Sequence, residues 1–198
     1  MAAFALRGPS LTLRLPRDDD AVALFRHASD AAVTANFSWG PYVRATEALA
    51  WLRTLPAARE RGEQLELAID RHGEGLIGVI SLSELSRRDR RAMVGTWLGR
   101  PHWGTGANAE AKALVFHLAF ALLGLERLGA YAAVGHERSQ RALEKVGFRR
   151  EGVLRHWHRH GDTVHDVVVY GLLASEWRRG EAVPVAVEGE PPTPFVVA

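Results

Sequence analysis

The sequence predicts a mixed α/β (α+β) fold, a twisted and mostly antiparallel central sheet flanked by about four helices. Three observations carry this. Residues 64 to 98 hold three strand-like segments separated by short links, which favours an antiparallel meander. The turn Trp103-Gly104-Thr105-Gly106 runs straight into a long helical stretch and then another strand, the order of a crossover unit. Two strand-like runs then flank Gly161-Asp162, as in a hairpin.

Each element follows from local pattern. Leu11 to Leu15 alternates apolar and polar, as a half-buried strand does. Asp18-Asp19-Asp20 supplies helix-start carboxylates, and Val22, Leu24, Phe25 and Ala28 follow at helical spacing. Phe37-Ser38-Trp39-Gly40-Pro41-Tyr42 is an aromatic loop. Thr46 is the expected cap of a second helix carrying Leu49, Trp51, Leu52 and Leu55, with Pro56 kinking or ending it. Strands are expected from Gln64 to Asp70, Leu76 to Leu85 and Ala92 to Leu98, the first two joined by the turn Arg71-His72-Gly73-Glu74-Gly75. A helix from Ala107 to Leu123 presents Ala111, Leu114, Val115, Leu118 and Leu122 on one face and ends at Gly124. A strand from Arg127 to Val134 and a helix from Glu137 to Val146, closed by Gly147, precede the hairpin of Glu151 to His160 and Thr163 to Leu173. Residues 1–179 are read as one domain, and 180–198, rich in Pro, Val and Glu, as a C-terminal tail.

Composition narrows the function. The chain has 198 residues and no cysteine, which excludes disulfides, thiolate metal sites and a cysteine nucleophile. Its formal net charge is only +2, so a nucleic-acid partner is not expected. Of 25 basic residues only Lys112 and Lys145 are lysines, a bias of coding rather than of a phosphate-binding surface. The start, Met1 to Arg7, is too short and weakly apolar for a signal peptide, and no stretch is long enough to span a bilayer. The expectation is a cytoplasmic protein without a membrane or metal partner.

The glycine turn carries the chemistry. Glycine adopts positive φ and lets a ligand approach the backbone, and the helix behind it offers unpaired N–H groups and a positive dipole end. Together they make an anion site suited to phosphate. Neither a Walker lysine nor a magnesium ligand accompanies it, so a pyrophosphate within a larger molecule fits better than a nucleoside triphosphate.

Several blocks around the turn, in order, resemble the GNAT acetyltransferases in their RimJ/RimL-like branch, the ribosomal-protein N-terminal acetyltransferases. They are Gly95-Thr96-Trp97-Leu98, the segment Trp103 to Lys112, Glu137 to Phe148, Arg150-Glu151-Gly152-Val153-Leu154-Arg155, His165-Asp166 and Glu176-Trp177. The resemblance covers about Leu11 to Trp177 and implies a sheet with splayed central strands. It implies that Gly104, Thr105, Gly106, Ala107, Asn108 and Ala109 hold the pyrophosphate of acetyl-coenzyme A. Trp97, Leu98 and Gly99 would pair with the pantetheine arm, and His136 stands where the family has a cofactor-contacting asparagine. Ser139 matches a serine beside the coenzyme A sulfur, where a hydroxyl can protonate the leaving thiolate; it could equally cap its helix.

The acceptor half departs from the family pattern. Met93 replaces a common glutamate. His158 stands where the branch has another, and an imidazole is chemically sensible as a base. His156, His158 and His160 alternate, which puts them on one strand face, and a two-residue turn sets His158 opposite His165. A metal site and a plain solvated face compete with catalysis there. Phe37, Trp39 and Tyr42 lie where the family borders the acceptor, although packing between two helices would also use them. Resemblance therefore implies transfer of acetyl to a primary amine, favouring a protein N-terminal α-amine, directly through a tetrahedral intermediate. A polyamine, amino acid or amino-sugar antibiotic acceptor, and a non-catalytic coenzyme A-binding module, are the alternatives. A second copy of the chain is a candidate partner.

Overall fold

The computed structural model describes residues 4–160, 162–177 and 183–196. The chain opens with a hairpin, β1 (Ala5–Arg7) and β2 (Leu11–Arg14). Periodicity picks out only the second strand, because three residues are too few to show alternation. The turn between them is pinned from outside: Glu110 accepts hydrogen bonds from the amides of Ser10 and Leu11 at 2.8 and 2.9 Å and from the Ser10 hydroxyl at 2.5 Å.

Three helices follow, α1 (Ala21–Ala28), the short α2 (Ala31–Thr34) and α3 (Ala45–Glu60). Asp30 caps α2 by accepting from the Ala32 amide at 2.8 Å. Glu47, rather than the expected Thr46, secures the start of α3; its carboxylate accepts from the amides of Val43 and Arg44 at 2.6 and 2.9 Å. Pro56 lies inside α3 without ending it. Proline deletes one intrahelical donor, and the remaining bonds carry the helix on to Glu60.

Next comes the expected meander, β3 (Gln64–Arg71), β4 (Gly75–Ser86) and β5 (Arg91–Leu98), antiparallel throughout. The glycine turn leads into α4 (Ala107–Phe116). The expected single helix to Leu123 changes character here: His117–Leu122 widens into a π-helical turn before Gly124 at φ +72°. The chain returns as β6 (Arg127–Ala133), parallel to β5, then forms α5 (Glu137–Lys145), β7 (Arg149–His160) and β8 (Thr163–Leu173). The spatial order, ending on β9 (Ala186–Glu188), is β7-β8-β6-β5-β4-β3-β2-β1-β9.

The parallel contact between β5 and β6 covers only Arg91–Met93 against Arg127–Gly129. Beyond it the two strands part, while β6 stays paired to β8 along its whole length. That divergence in the middle of the sheet creates the principal cleft.

Alternation distributes the core. Leu65, Leu67 and Ile69 of β3 face the larger cluster beneath α4, with Leu114, Val115, Phe148 and Tyr170. Ala68 faces the smaller cluster beneath α1 and α3, with Leu24, Leu52, Leu55 and Val79. Arg14 ties the two halves together. Its guanidinium grips Asp20 at 2.6 and 2.8 Å and Asp70 at 2.5 and 3.0 Å. Burial alone would raise the Asp20 carboxyl; the hydrogen bonds from Arg14 and the Arg17 amide outweigh it and hold the group below its ordinary value.

The segment set apart by composition contributes directly to the sheet and core. β9 pairs antiparallel with β1, Leu6 against Val187, and Phe195 is fully buried within the larger cluster. Arg87 donates to the Pro194 carbonyl. Among the described residues no helix is long and apolar enough to cross a membrane. Replacing a fully buried phenylalanine costs about 3–5 kcal/mol, so Phe195→Ala should lose that much in urea unfolding. A loss under about 1 kcal/mol would show that the closing segment adds little to the fold.

Candidate active site

The turn after β5 has the geometry of an anion cradle. Gly104 and Gly106 sit at φ +74° and +89°, left-handed values that glycine adopts without strain. No atom lies within 4 Å of where a Cβ would stand on either. The Ala109 and Glu110 amides return to the Gly106 carbonyl at 3.0 and 3.1 Å, whereas the amides of Gly104 to Asn108 have no backbone acceptor among the described residues. The Thr105 hydroxyl donates to the His102 carbonyl and accepts from Arg71, each at 2.9 Å, which braces the turn from behind.

A cleft of about 300 Å³ opens where β5 and β6 part. Trp97, Leu98, Gly104, Gly106, Asn108, Ala109, His136 and Ser139 all line it. Gly99, Thr105 and Ala107 do not. Gly99 gives its amide to the Ile77 carbonyl at 2.8 Å and has the His27 ring against its α-carbon, so this amide is not available to a ligand. Ala107 is buried as the first residue of α4. His136 stands just before α5, where burial and then the Arg138 charge push its imidazole below the usual value. The Ser139 amide donates to the His136 carbonyl at 3.0 Å. Its hydroxyl makes no hydrogen bond among the described residues and is free to face the cleft.

Lys112 is a cleft residue that sequence patterns did not single out. It is only 5% exposed, and its ammonium donates to Thr96 Oγ1 at 3.0 Å and Asn108 Oδ1 at 2.9 Å. Neither partner is charged, and burial pushes the lysine down to about 8. Arg138 lies over the Trp103 ring, 3.4 Å from its centroid, at the same cleft.

A second cavity, about 330 Å³, lies on the α1/α3 face of the sheet. Phe37, Trp39 and Tyr42 form part of its wall. Phe37 stacks on Trp39 at 5.3 Å, and Trp39 meets Tyr42 and Trp97 at 5.6 Å each. Phe37, Thr96 and Trp97 line both spaces, so cleft and cavity meet at the end of β5. Trp51, whose helical spacing reads as core, packs against the smaller hydrophobic cluster and also lines this cavity.

Glu66 lies in the same cavity at 8% exposure. Its one hydrogen-bond donor among the described residues is the Gln64 side chain. Burial pushes its carboxyl up to about 8, against the opposing effect of that hydrogen bond. The register places Glu66 opposite Ser81 and Ser81 opposite Gly95. A Cβ on Gly95 would stand 2.9 Å from Ser81 Oγ, so the missing side chain leaves room in this row. Met93, two residues earlier, packs its sulfur over Gly129 instead of offering a proton-accepting group.

The hairpin histidines stand apart. His158 pairs with His165 in register, as expected, and His160 with Thr163; Gly161 of the expected turn lies outside the described residues. The simple alternation of the three histidines does not hold. The register shifts between Leu154 and His158, His156 adopts φ +53°, and its amide donates to Asp166 Oδ1 at 2.8 Å. His158 lines neither the cleft nor the cavity. Among the described residues no group of three potential metal ligands converges.

Comparison with known proteins agrees with this geometry. The family model described as Acetyltransferase (GNAT) domain matches residues 10–149. The uncharacterized N-acetyltransferase YoaA of Bacillus subtilis (strain 168) is 32% identical over 164 residues, 82% of this chain and 93% of that protein. The ribosomal-protein-serine acetyltransferase of Escherichia coli (strain K12) is 33% identical over 100 residues, 50% of this chain and 55% of that one. The structure of Mycobacterium smegmatis RimJ in complex with CoA-disulfide superposes with a TM-score of 0.79 at 24% identity, covering 90% of each chain, a likeness of fold alone. With most of its length matched, the chain belongs to the GNAT acetyltransferases, enzymes whose acetyl donor is acetyl-coenzyme A.

Proposed function

We propose that this chain acetylates a primary amine, the α-amine of a protein N-terminus, by direct transfer with both substrates bound. The observation that carries this is the meeting of two spaces at Trp97, Thr96 and Phe37. One holds an open anion cradle and a splayed strand; the other is an aromatic cavity. Acetyl-coenzyme A supplies an acetyl group activated as a thioester. Gly104, Gly106 and Asn108 would hold its pyrophosphate through backbone N–H groups that have no acceptor among the described residues, with Ala109 lining the cleft beside them. The length of β5 beyond Met93, released from β6, would pair with the amide-rich arm as an added strand. Its backbone N–H groups near Trp97 would steady the oxyanion.

The amine nitrogen then bonds to the acetyl carbon, and the carbon–sulfur bond breaks towards sulfur. The Ser139 hydroxyl, unpartnered and in the cleft, would deliver a proton to the departing thiolate. An α-amine titrates near 8 and a lysine amine near 10.4, so an N-terminus needs less help to lose its proton. The similarity to a ribosomal-protein-serine acetyltransferase supports the same acceptor class. The modest size of the aromatic cavity supports a second reading, a small free amine.

A thiol-release assay decides among these readings. Peptides with free N-termini should release coenzyme A thiol, and the same peptides blocked at the N-terminus should not. Turnover with spermidine or an amino-sugar alone would move the acceptor to the small amines, and tight coenzyme A binding without turnover on any amine would make the chain a binding module. Gly106→Trp should weaken coenzyme A at least tenfold in calorimetric titration while costing about 1–2 kcal/mol in stability, the strain of a side chain at positive φ. Unchanged affinity would remove the pyrophosphate assignment. Ser139→Ala should lower kcat on the order of 10²-fold with coenzyme A affinity held within about twofold. An equal loss in both would make Ser139 a binding residue only.

A further inference from the structure

The aromatic cavity holds a carboxyl group that the transfer chemistry leaves unused. Glu66 is buried on β3, and its only donor among the described residues is the Gln64 amide. Among the described residues no cation lines the cavity: α1 contributes Leu24, α3 contributes Trp51, and β4 contributes Val79 and Ser81, while Lys112 lines only the cleft and reaches the shared wall residue Thr96 at 3.0 Å. Tyr42 is the other titratable lining group, and burial with the Glu47 charge raises its phenol, so it stays neutral. A buried carboxylate without a counter-charge is strongly disfavoured. Alone, Glu66 is therefore held protonated, and a cation arriving from outside would stabilise its ionised form.

We propose that Glu66 recognises the acceptor, its carboxylate pairing with the ammonium of an amine that bears a single positive charge and an apolar or aromatic flank, and receiving the proton that this amine loses before attack. The proposal rests on reading the aromatic cavity as the acceptor site and names the class of amine it takes. Trp39 and Trp51 line the cavity, and aromatic rings attract an ammonium or pack on the apolar group beside it. One carboxylate matches one positive charge; each further cation of a polyamine would lose its hydration with no anion to meet it. The cross-strand row Glu66, Ser81, Gly95 leads from the carboxyl towards β5, with the Ser81 hydroxyl in between.

The proton balance closes. The ammonium gives one proton to the Glu66 carboxylate, and the freed lone pair forms the nitrogen–carbon bond. The carbon–sulfur electron pair leaves with sulfur, which takes the Ser139 hydroxyl proton, and the second nitrogen proton restores that hydroxyl. Glu66 then returns its proton to solvent, so each amide formed releases one proton. Because the Glu66 carboxyl is pushed up to about 8, close to a free α-amine near 8, the first transfer is nearly balanced in energy.

The test is a fluorescence titration of the full chain with 2-phenylethylammonium, without acetyl-coenzyme A, from pH 6 to 9, reading the cavity tryptophans. Below about pH 8 the cation must displace a proton from Glu66, so the apparent Kd should fall about tenfold per pH unit and then level off. Glu66→Gln should abolish that slope and weaken binding at pH 8 at least tenfold; Glu66→Asp should keep a slope. Spermidine should bind at least tenfold more weakly than the monoamine. A flat wild-type profile, or a Glu66→Gln protein with unchanged slope and affinity, overturns the proposal, and if Glu66→Gln does not fold the wild-type slope and Glu66→Asp decide it. Thiol release from peptides that survives Glu66→Gln unchanged overturns the role of Glu66 and leaves the transferase standing. Amine binding with the expected slope but no turnover has the reverse meaning.

Discussion

Everything in the site depends on how little β5 and β6 share. A parallel pair that ran its full length would bond its backbone groups to each other and leave no cleft. Here three residues on each strand are paired and the rest diverge. The divergence opens the cleft beside Trp97 and Leu98 and makes room for the first turn of α4 to face outward. It also explains the buried Lys112, which crosses the gap to Thr96 where a fully paired sheet would carry apolar packing. The protein keeps the sheet intact by leaning on other contacts: β6 is bonded along all seven residues to β8, and β5 to β4.

A second constraint fixes the roof over the aromatic cavity. The aromatic loop between α2 and α3 rests on the sheet through Trp39, which meets Phe37, Tyr42 and Trp97 at once. Trp97 is therefore shared between roof and donor cleft. Displacing that ring would alter the lining of both spaces at once. The geometry makes the two spaces neighbours rather than separate sites.

The parts legible in sequence were those that local chemistry dictates. The meander, the crossover, the glycine turn and the Gly147 stop are written in periodicity and in the residues that allow positive φ. Glu66 was not legible, because Gln64 and Glu66 alternate with Leu65, Leu67 and Ile69 as a half-solvated strand would. Only the roof formed by residues distant in sequence buries that polar face. Lys112 escaped for the mirror reason, because a helix lysine reads as exposed and here it is buried, while the core reading of Trp51 holds but misses that one side of it lines a cavity. The alternating histidines misled because a bulge at His156 leaves no trace in their spacing. The strand at Ala186–Glu188 was hidden by a composition that otherwise marks a linker, yet three residues and Phe195 suffice to anchor it.

That last strand changes what the molecule offers to others. An exposed sheet edge is a template for another chain's backbone. On one side β9 occupies the edge that β1 would present. On the other, β7 carries three residues, Arg155 to Trp157, opposite Asp166 alone, and this irregularity spoils the regular row of donors and acceptors. Neither border is a ready ladder for strand addition. Self-association or docking of a partner chain would accordingly favour side chains and surface shape over strand addition, whereas inside the sheet the length of β5 that leaves β6 has backbone free of that neighbour.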